Sequence, residues 1–471
     1  MSAMNDASNK RPNIVLMVSD QQRWDTLGCL GFEHAVTPHI DRLAERGVCF
    51  SRTYAQGAVC GPSRASLVSS KYVHSHGVEE NGLWLRDGEP NFIEALRDAG
   101  YHTANIGKMH TQPTRIDCGF DYRFVVENKN HQPEMGGTDD YERLLDAHGL
   151  KRPGTHYHLW HDDWHTAMFN TAVWPHDEDL FPDNVVGRMS VDYIAEHDFR
   201  DRPLFLWSGF PGPHDPYDAT ESALERYGDR PIPEPIGAEG EAANKPPEHA
   251  AYMQWMETFD NAAAVRWTQK TPEKLDRLRR HYHANVMLID DWVGRIVEAI
   301  DARGELDNTI FIFASDHGDA LGDHEMIYKF ATHYDSVVRV PFVWAGPGVA
   351  TQGVHDALVE LFDLGPTLLD IAGIEKPSQM QGRSLRPLLD GRAASYKDAV
   401  FSEHQHRIMI RTDRWKLVRY VGKAYGELYD MHADPEELRN LFEDGEHAGT
   451  RSELTGRLFD WYAAHRCRLL G

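Results

Sequence analysis

Cysteine is scarce, with five in 471 residues: Cys29, Cys49, Cys60, Cys118 and Cys467. The number is odd and the positions are scattered, so neither a disulfide framework nor a cysteine metal knot is expected, and a reducing compartment fits better. Long apolar runs are absent. No stretch approaches the roughly 18 apolar residues of a membrane span, which excludes membrane insertion by a helix. Met1 to Lys10 is polar and leads straight toward a strand with no apolar leader, so a cytoplasmic location is expected. Positive charge is also in deficit. Against 73 acidic residues stand 49 basic ones, a net −24 that argues against nucleic acid or an anionic membrane as partner. Any anionic substrate must be drawn in by a local basic pocket. Internal repeats and low-complexity tracts are missing as well.

What is present is an ordinary globular composition, long enough for one large α/β domain and a smaller one. Asn13 to Val18 is a continuous apolar run ending in Ser19-Asp20, the pattern of a buried parallel strand, and Thr309 to Ala314 repeats it before Ser315-Asp316. Leu204 to Trp207 and Val340 to Trp344 read as further core strands. Helical stretches lie between them, including Thr37–Arg46, Asn91–Ala99 and Leu275–Arg303. This alternation predicts a mostly parallel sheet between helices. Residues 125–200 read as an insertion over the catalytic face, and 212–265 as a long excursion rich in Pro, Glu and Ala. After about residue 375 short strand candidates follow (407–411, 415–420, 427–429), so 1–375 is expected to be the catalytic α/β domain and 376–471 a small α+β subdomain with an antiparallel sheet.

The stretch from Val59 to Leu67 carries the chemistry. Cys60 stands at the start of an expected helix, Pro62 suits a first turn, and Arg64 follows one turn later. Unpaired first-turn N–H groups stabilise an anion at Cys60, and Arg64 can grip two oxygens of a tetrahedral oxyanion. A thiol phosphatase would need Cys-x5-Arg, which this is not. Asp20-Gln21 and Asp316-His317 end the two strongest strands, where an open α/β sheet presents its ligand crevice. Two carboxylates, an amide oxygen and an imidazole suit one divalent ion, Ca²⁺, Mg²⁺ or Mn²⁺, with the imidazole favouring Mn²⁺. Asn81, downstream of Cys60, is a candidate hydrogen-bond donor to substrate. His156, His158, His161, His165 and His176, with Trp160, Trp164 and Trp174 among them, read as a polar pocket wall with room for an aromatic or cationic leaving group.

The Cys60-Gly61-Pro62-Ser63-Arg64 string resembles the signature of the type I, formylglycine-dependent sulfatases of the alkaline phosphatase-like superfamily. Downstream the family runs Thr-Gly where this chain has Val68-Ser69. The resemblance extends to Asp20-Gln21, Gly107-Lys108-Met109-His110, Pro213-His214-Asp215-Pro216, Ser315-Asp316-His317-Gly318-Asp319, Gly322-Asp323-His324 with Lys329, and the 382–389 and 428–441 stretches. Its Gln and His choices are those of the branch with choline sulfatases and phosphonate monoester hydrolases. The resemblance implies hydrolysis of small anionic sulfate esters by a formylglycine made from Cys60, with one divalent metal (Ca²⁺ or Mn²⁺) on Asp20, Gln21, Cys60, Asp316 and His317. It also implies Lys108 and Lys329 on sulfate oxygens, His110 on the formylglycine diol, and His214, with Lys329, beside the leaving group. A formylglycine-generating enzyme is the implied maturation partner. Homo-oligomer formation stays open, as does the leaving group. The alternative is a phosphonate monoester or phosphodiester hydrolase of the same superfamily, against which Gly-Lys-x-His counts. A two-metal phosphatase would need further Asp and His ligands, and an anion-binding protein without turnover would have little use for the charged site residues.

Overall fold

The computed structural model describes residues 11–128, 138–152, 168–258, 265–329 and 332–466. Nine strands form the main sheet: β1 (Asn13–Asp20), β2 (Gly47–Tyr54), β3 (His102–Gly107), β4 (Tyr122–Phe124), β5 (Leu204–Pro213), β6 (Thr309–Ser315), β7 (Arg339–Val340), β8 (Phe342–Ala345) and β9 (Gly353–Glu360). Their order is β4-β3-β5-β1-β6-β8-β2-β7, with β9 also paired to β2. Strand β1 lies parallel between β5 and β6, as its unbroken apolar run requires. Its side chains alternate between two cores. Val15 and Met17 face the helices Pro38–Glu45, Pro182–Glu196 and Pro272–Ala302, while Ile14, Leu16 and Val18 face Cys60–Ser69, Phe92–Asp98 and Leu364–Ile371.

The expected strands and helices form at or near the expected residues. Asn91 caps its helix by accepting from Glu94 N, and Thr271 caps the 31-residue helix before Pro272. One expected core strand behaves differently. Val340–Trp344 is split between β7 and β8, and β8 runs antiparallel to both β6 and β2. This reversal leaves β2 pointing the same way as β1, so the chain leaves β2 toward Cys60 on the same edge as Asp20.

A second sheet of four antiparallel strands follows: β10 (Ala399–His404), β11 (Arg407–Thr412), β12 (Trp415–Tyr420) and β13 (Gly426–Asp430). The first of these had no counterpart among the sequence expectations. The 212–265 excursion begins as the end of β5 and contains helices Glu221–Tyr227 and Pro247–Thr258. Of the histidine-rich segment, His156, His158, His161 and His165, with Trp160 and Trp164, lie outside the described residues. Trp174 is buried against Phe181 and donates to Asp177 O, which makes it core rather than pocket wall. Among the described residues no helix is long and apolar enough to cross a membrane.

Candidate active site

The register of β1 against β6 pairs Ser19 with Ser315, so Asp20 and Asp316 emerge side by side at the carboxyl edge of the sheet. Between the ends of β3 and β5, Gly107 (φ 102°) approaches Gly209 so closely that a Cβ on it would meet Gly209 O at 2.0 Å. Only glycine permits that approach, and it delivers Lys108 into the same crevice. β5 ends at Pro213 and delivers His214. The helix Cys60–Ser69 starts at Cys60 itself, so Pro62 occupies its first turn, and every residue of it is buried.

These routes converge on one buried cluster. Cys60 Sγ lies 3.0 Å from His317 Nε2 and 3.6 Å from Asp20 Oδ1. Arg64 donates from Nε to Asp316 Oδ2 (2.7 Å) and from Nη1 to Lys108 O (2.9 Å), with Nη2 3.5 Å from Asp20 Oδ2. Lys108 Nζ is 2.5 Å from Asp20 Oδ2. Lys329 Nζ donates to Gln21 Oε1 (2.6 Å) and lies 2.6 Å from His214 Nε2. Arg64, Lys108 and Lys329 thus gather three permanent cations at this edge, the local concentration of positive charge that an acidic chain needs to hold an anion.

Electrostatics follow from that arrangement. Burial opposes ionisation of the Cys60 thiol, yet Lys329, His317, Lys108 and a hydrogen bond from His110 bring it well below the ordinary thiol range. Burial and Cys60 also oppose charge on Asp20, and Lys108, His214 and Arg64 outweigh them, holding the carboxyl below its usual value. Burial works against the Lys329 ammonium, but Cys60, Asp20, Asp215 and Asp316 raise it.

A metal ion fits the donor set. One atom each from Asp20, Cys60, Asp316 and His317 lies within 4.8 Å of the others, and all four residues are buried. His317 Nδ1 donates to Gly318 O at 2.8 Å, which leaves the Nε2 lone pair facing the cluster, the tautomer of a metal-binding histidine. Asp316 and Cys60 overcome burial and raise the affinity of His317 for a proton, whose place a cation would take. Gln21 departs from a plain ligand role. Its amide oxygen accepts from Lys329, while Nε2 donates to Asp319 Oδ2 (2.5 Å) and Asp215 Oδ1 (3.3 Å).

His110 has φ 61° and Gln21 φ 66°, a left-handed backbone that costs about 1–3 kcal/mol for residues with a Cβ and persists at functional sites. His110 is anchored by its backbone N–H donating to Glu127 Oε2, and Gln21 by its carbonyl accepting from Tyr282. Asn81 uses its side-chain oxygen to accept from Gly61 N at 2.8 Å, capping the first turn under Cys60. Asp323 pairs with Arg23 at 2.7 Å and His324 with Glu241 at 2.6 Å, so this part of the quoted motif anchors the loop that leads to Lys329. Sequence reasoning missed Tyr217, Glu127 and the role of Asp319. Tyr217 donates to Asp319 Oδ2 (2.8 Å), and burial raises the Asp319 pKa. The signal for Asp319 was its place within the Asp316–Asp319 stretch; Tyr217 and Glu127 carried none.

With three cations around the buried Cys60 thiol, this edge of the sheet suits binding of a tetrahedral oxyanion ester. The family model described as Sulfatase matches residues 12–374, and that of the C-terminal part of N-sulphoglucosamine sulphohydrolase matches 322–463. An arylsulfatase of Clostridium perfringens is 32% identical over 461 residues, 93% of this chain and 91% of that one. The chain belongs to the sulfatase family and is a sulfuric ester hydrolase. A choline-sulfatase of Rhizobium meliloti is 29% identical over 97% of this chain and 87% of its own. Among solved structures, the phosphonate monoester hydrolase of Agrobacterium radiobacter superposes with a TM-score of 0.82 at 25% identity, covering 97% of this chain and 96% of that one. The alkaline phosphatase-like architecture and the branch expected from Asp20-Gln21 and Asp316-His317 agree with these likenesses.

Proposed function

We propose that the chain cleaves a small anionic sulfate ester with residue 60 as nucleophile after oxidation of Cys60 to formylglycine by a formylglycine-generating enzyme. The observation that carries this reading is the placement of Cys60 Sγ at a buried helix start, 3.0 Å from His317 Nε2. In the oxidised form residue 60 supplies a hydrated aldehyde as nucleophile, and a divalent ion (Ca²⁺ or Mn²⁺) held by Asp20, Asp316, His317 and residue 60, with Gln21 beside them, supplies Lewis acidity.

The protein's own residues do the rest. Arg64, Lys108 and Lys329 hold the sulfate oxygens and balance charge as the sulfur–oxygen bond lengthens. His110 takes up a proton at residue 60. His214 accepts from Lys329 at Nε2 and donates Nδ1–H to Asp215 O, so the proton for the leaving oxygen is the one shared between Lys329 Nζ and His214 Nε2. Asn81 borders this pocket through its cap on Gly61. The scattered cysteines, all unpaired among the described residues, support maturation in the cytoplasm, and 376–471 is read as the separate small subdomain.

Mass spectrometry of the peptide containing residue 60, with sulfate release from aryl sulfates, tests the reading. A fully active enzyme with an intact thiol overturns the formylglycine assignment. Comparing rates on a sulfate monoester and a phenylphosphonate ester tests the phosphonate reading that the 0.82 TM-score keeps in view.

A further inference from the structure

Strand register brings Glu127 to the catalytic edge. β3 and β4 run parallel with Ile106 beside Phe124, so the chain leaves both strands at the same end of the sheet. A few residues further on the two segments meet, where the His110 backbone N–H donates to Glu127 Oε2 at 2.8 Å. Glu127 is fully buried and is held from its other side by the segment that follows it. Its N–H donates to Asp139 Oδ2 (2.9 Å), and Asp139 Oδ1 accepts from Glu142 N (2.9 Å) as the cap of helix Asp140–Ala147. Arg152 pairs with the same carboxylate. Val125 is tied to this helix start as well, with its N–H donating to Asp140 Oδ2 (2.8 Å) and its carbonyl accepting from Asp140 N (3.0 Å).

Among the described residues, Glu127 Oε1 and His110 Nδ1 are buried and have no partner. They belong to two residues already joined through His110 N, and they match chemically: a carboxylate oxygen accepts, and an imidazole N–H donates. His110 also hydrogen-bonds Cys60, and with Nδ1 unpartnered that bond belongs to Nε2. To take a proton from residue 60 at Nε2, the ring must carry its own hydrogen on Nδ1. The group bonded to Nδ1 fixes that tautomer and the direction of the ring, and a carboxylate there also stabilises the imidazolium that forms.

Arg123 is the rival partner for Glu127. Burial lowers the guanidinium pKa, the Glu127 charge offsets part of that, and Arg123 Nη2 is also buried without a partner. Its other nitrogens donate to Asn105 Oδ1 (3.0 Å) and Thr114 O (3.1 Å), which hold the guanidinium in place without Glu127.

We propose that Glu127 is the positioning residue for His110, its carboxylate taking the imidazole Nδ1–H as well as the backbone N–H. The proton then moves from the hydroxyl of residue 60 to His110 Nε2, while Nδ1 keeps its hydrogen on Glu127. Asp139 and the helix it caps hold Glu127 for this task. The proposal rests on the sulfatase reading, in which His110 takes up that proton.

A double-substitution cycle on 4-nitrophenyl sulfate measures the coupling. Glu127→Ala is expected to lower kcat at least about tenfold and to move KM less than about threefold, because Arg64, Lys108 and Lys329 still hold the sulfate oxygens. In a His110→Ala background the same substitution is expected to cost less than about twofold, since it acts only through His110. Glu127→Gln keeps an accepting oxygen without the charge and is expected to recover part of the loss. It is also the variant to read where Glu127→Ala does not fold. Losses that add across the cycle, or a loss carried by KM, overturn the proposal and leave Glu127 to Arg123. Proton NMR of Cys60→Ala protein with isotope-labelled histidine supplies a readout that needs no turnover. One downfield Nδ1–H resonance is expected, assigned by its disappearance in His110→Gln and lost or moved upfield in Glu127→Ala. A His110 ring without hydrogen on Nδ1, or a signal indifferent to Glu127→Ala, overturns the assignment. Absence of sulfate release from every ester fails the sulfatase reading instead, and the imidazole signal still decides whether Glu127 holds His110.

Discussion

Lys329 Nζ lies 2.6 Å from His214 Nε2, both side chains being buried. An ammonium can only donate, so His214 accepts with Nε2 and donates Nδ1–H to the carbonyl of Asp215 at 2.6 Å. The proton this pair can give a departing oxygen is the one shared between Lys329 Nζ and His214 Nε2, because His214 Nδ1–H is committed to Asp215 O. The substitution His214→Ala is expected to lower kcat by about 10²–10³-fold, in the range of lost general-acid catalysis. The loss should be larger for an alkyl sulfate than for 4-nitrophenyl sulfate, because the poorer leaving group depends more on the proton. Steady-state kinetics on the two esters measures this, and equal losses would remove His214 from the acid role.

Gln21 stands between an ammonium and two carboxyl groups. Its oxygen faces Lys329, and its amide hydrogens satisfy Asp319 and Asp215. The Gln21→Glu substitution keeps the shape but deletes both donors and sets a third carboxylate against Asp319 and Asp215. Raised KM for an anionic ester and at least about tenfold lower kcat/KM are expected, since close like charges disfavour one another. Unchanged KM would show that Gln21 does not shape the field felt by the substrate.

Much of this site was legible in the chain because strand-end residues inherit their position from the strand. The apolar runs before Asp20 and Asp316 placed both carboxylates at one edge, and Lys108 was legible only through the resemblance of the Gly107–His110 stretch. Cys60 and Arg64 were legible for the same kind of reason, one helical turn apart on a segment whose start Pro62 marks. Other features depend on contacts between distant segments and leave no local pattern. The reversal of β8, the cap that Asn81 places on Gly61, and the Tyr217–Asp319–Gln21 chain are of that kind. Asp323 and His324 were quoted for the resemblance without a role. They stand inside a recognisable stretch, yet their side chains hold a loop to Arg23 and Glu241.

That loop anchor has a pH signature. Glu241 receives a hydrogen bond from His324 and an ion pair from Lys245 (2.8 Å), and these overcome burial to pull its carboxyl down to about 2. The folded-state pKa lies below the unfolded value, so the unfolded chain binds more protons between about pH 2 and 4.5. The stabilisation is present above about pH 4.5 and is lost as pH falls through that window. Urea unfolding from pH 6 to pH 3 should show Glu241→Gln less stable at pH 6 by on the order of 1–2 kcal/mol, with the difference narrowing toward pH 3. A pH-independent difference would mean that the Glu241 charge contributes nothing to holding this loop.

Asp20 joins the metal donor set to the cationic pocket, and the two connections predict different losses. Lys108 at 2.5 Å and Arg64 at 3.5 Å already balance its charge within the protein, and His317 can take up a proton where a cation would sit. Chelation with EDTA is therefore expected to abolish turnover while lowering unfolding free energy only modestly, with uptake of a proton. In Asp20→Ala two buried cations lose their shared carboxylate, and removing one partner of a buried pair costs about 3–5 kcal/mol. Elemental analysis should find about one divalent ion per active chain and little in Asp20→Ala. Chemical denaturation of untreated, chelated and Asp20→Ala protein measures the order of stabilities. If the chelated protein is destabilised as much as Asp20→Ala, the ion is a structural keystone and the charge balance assigned to Lys108 and Arg64 is insufficient.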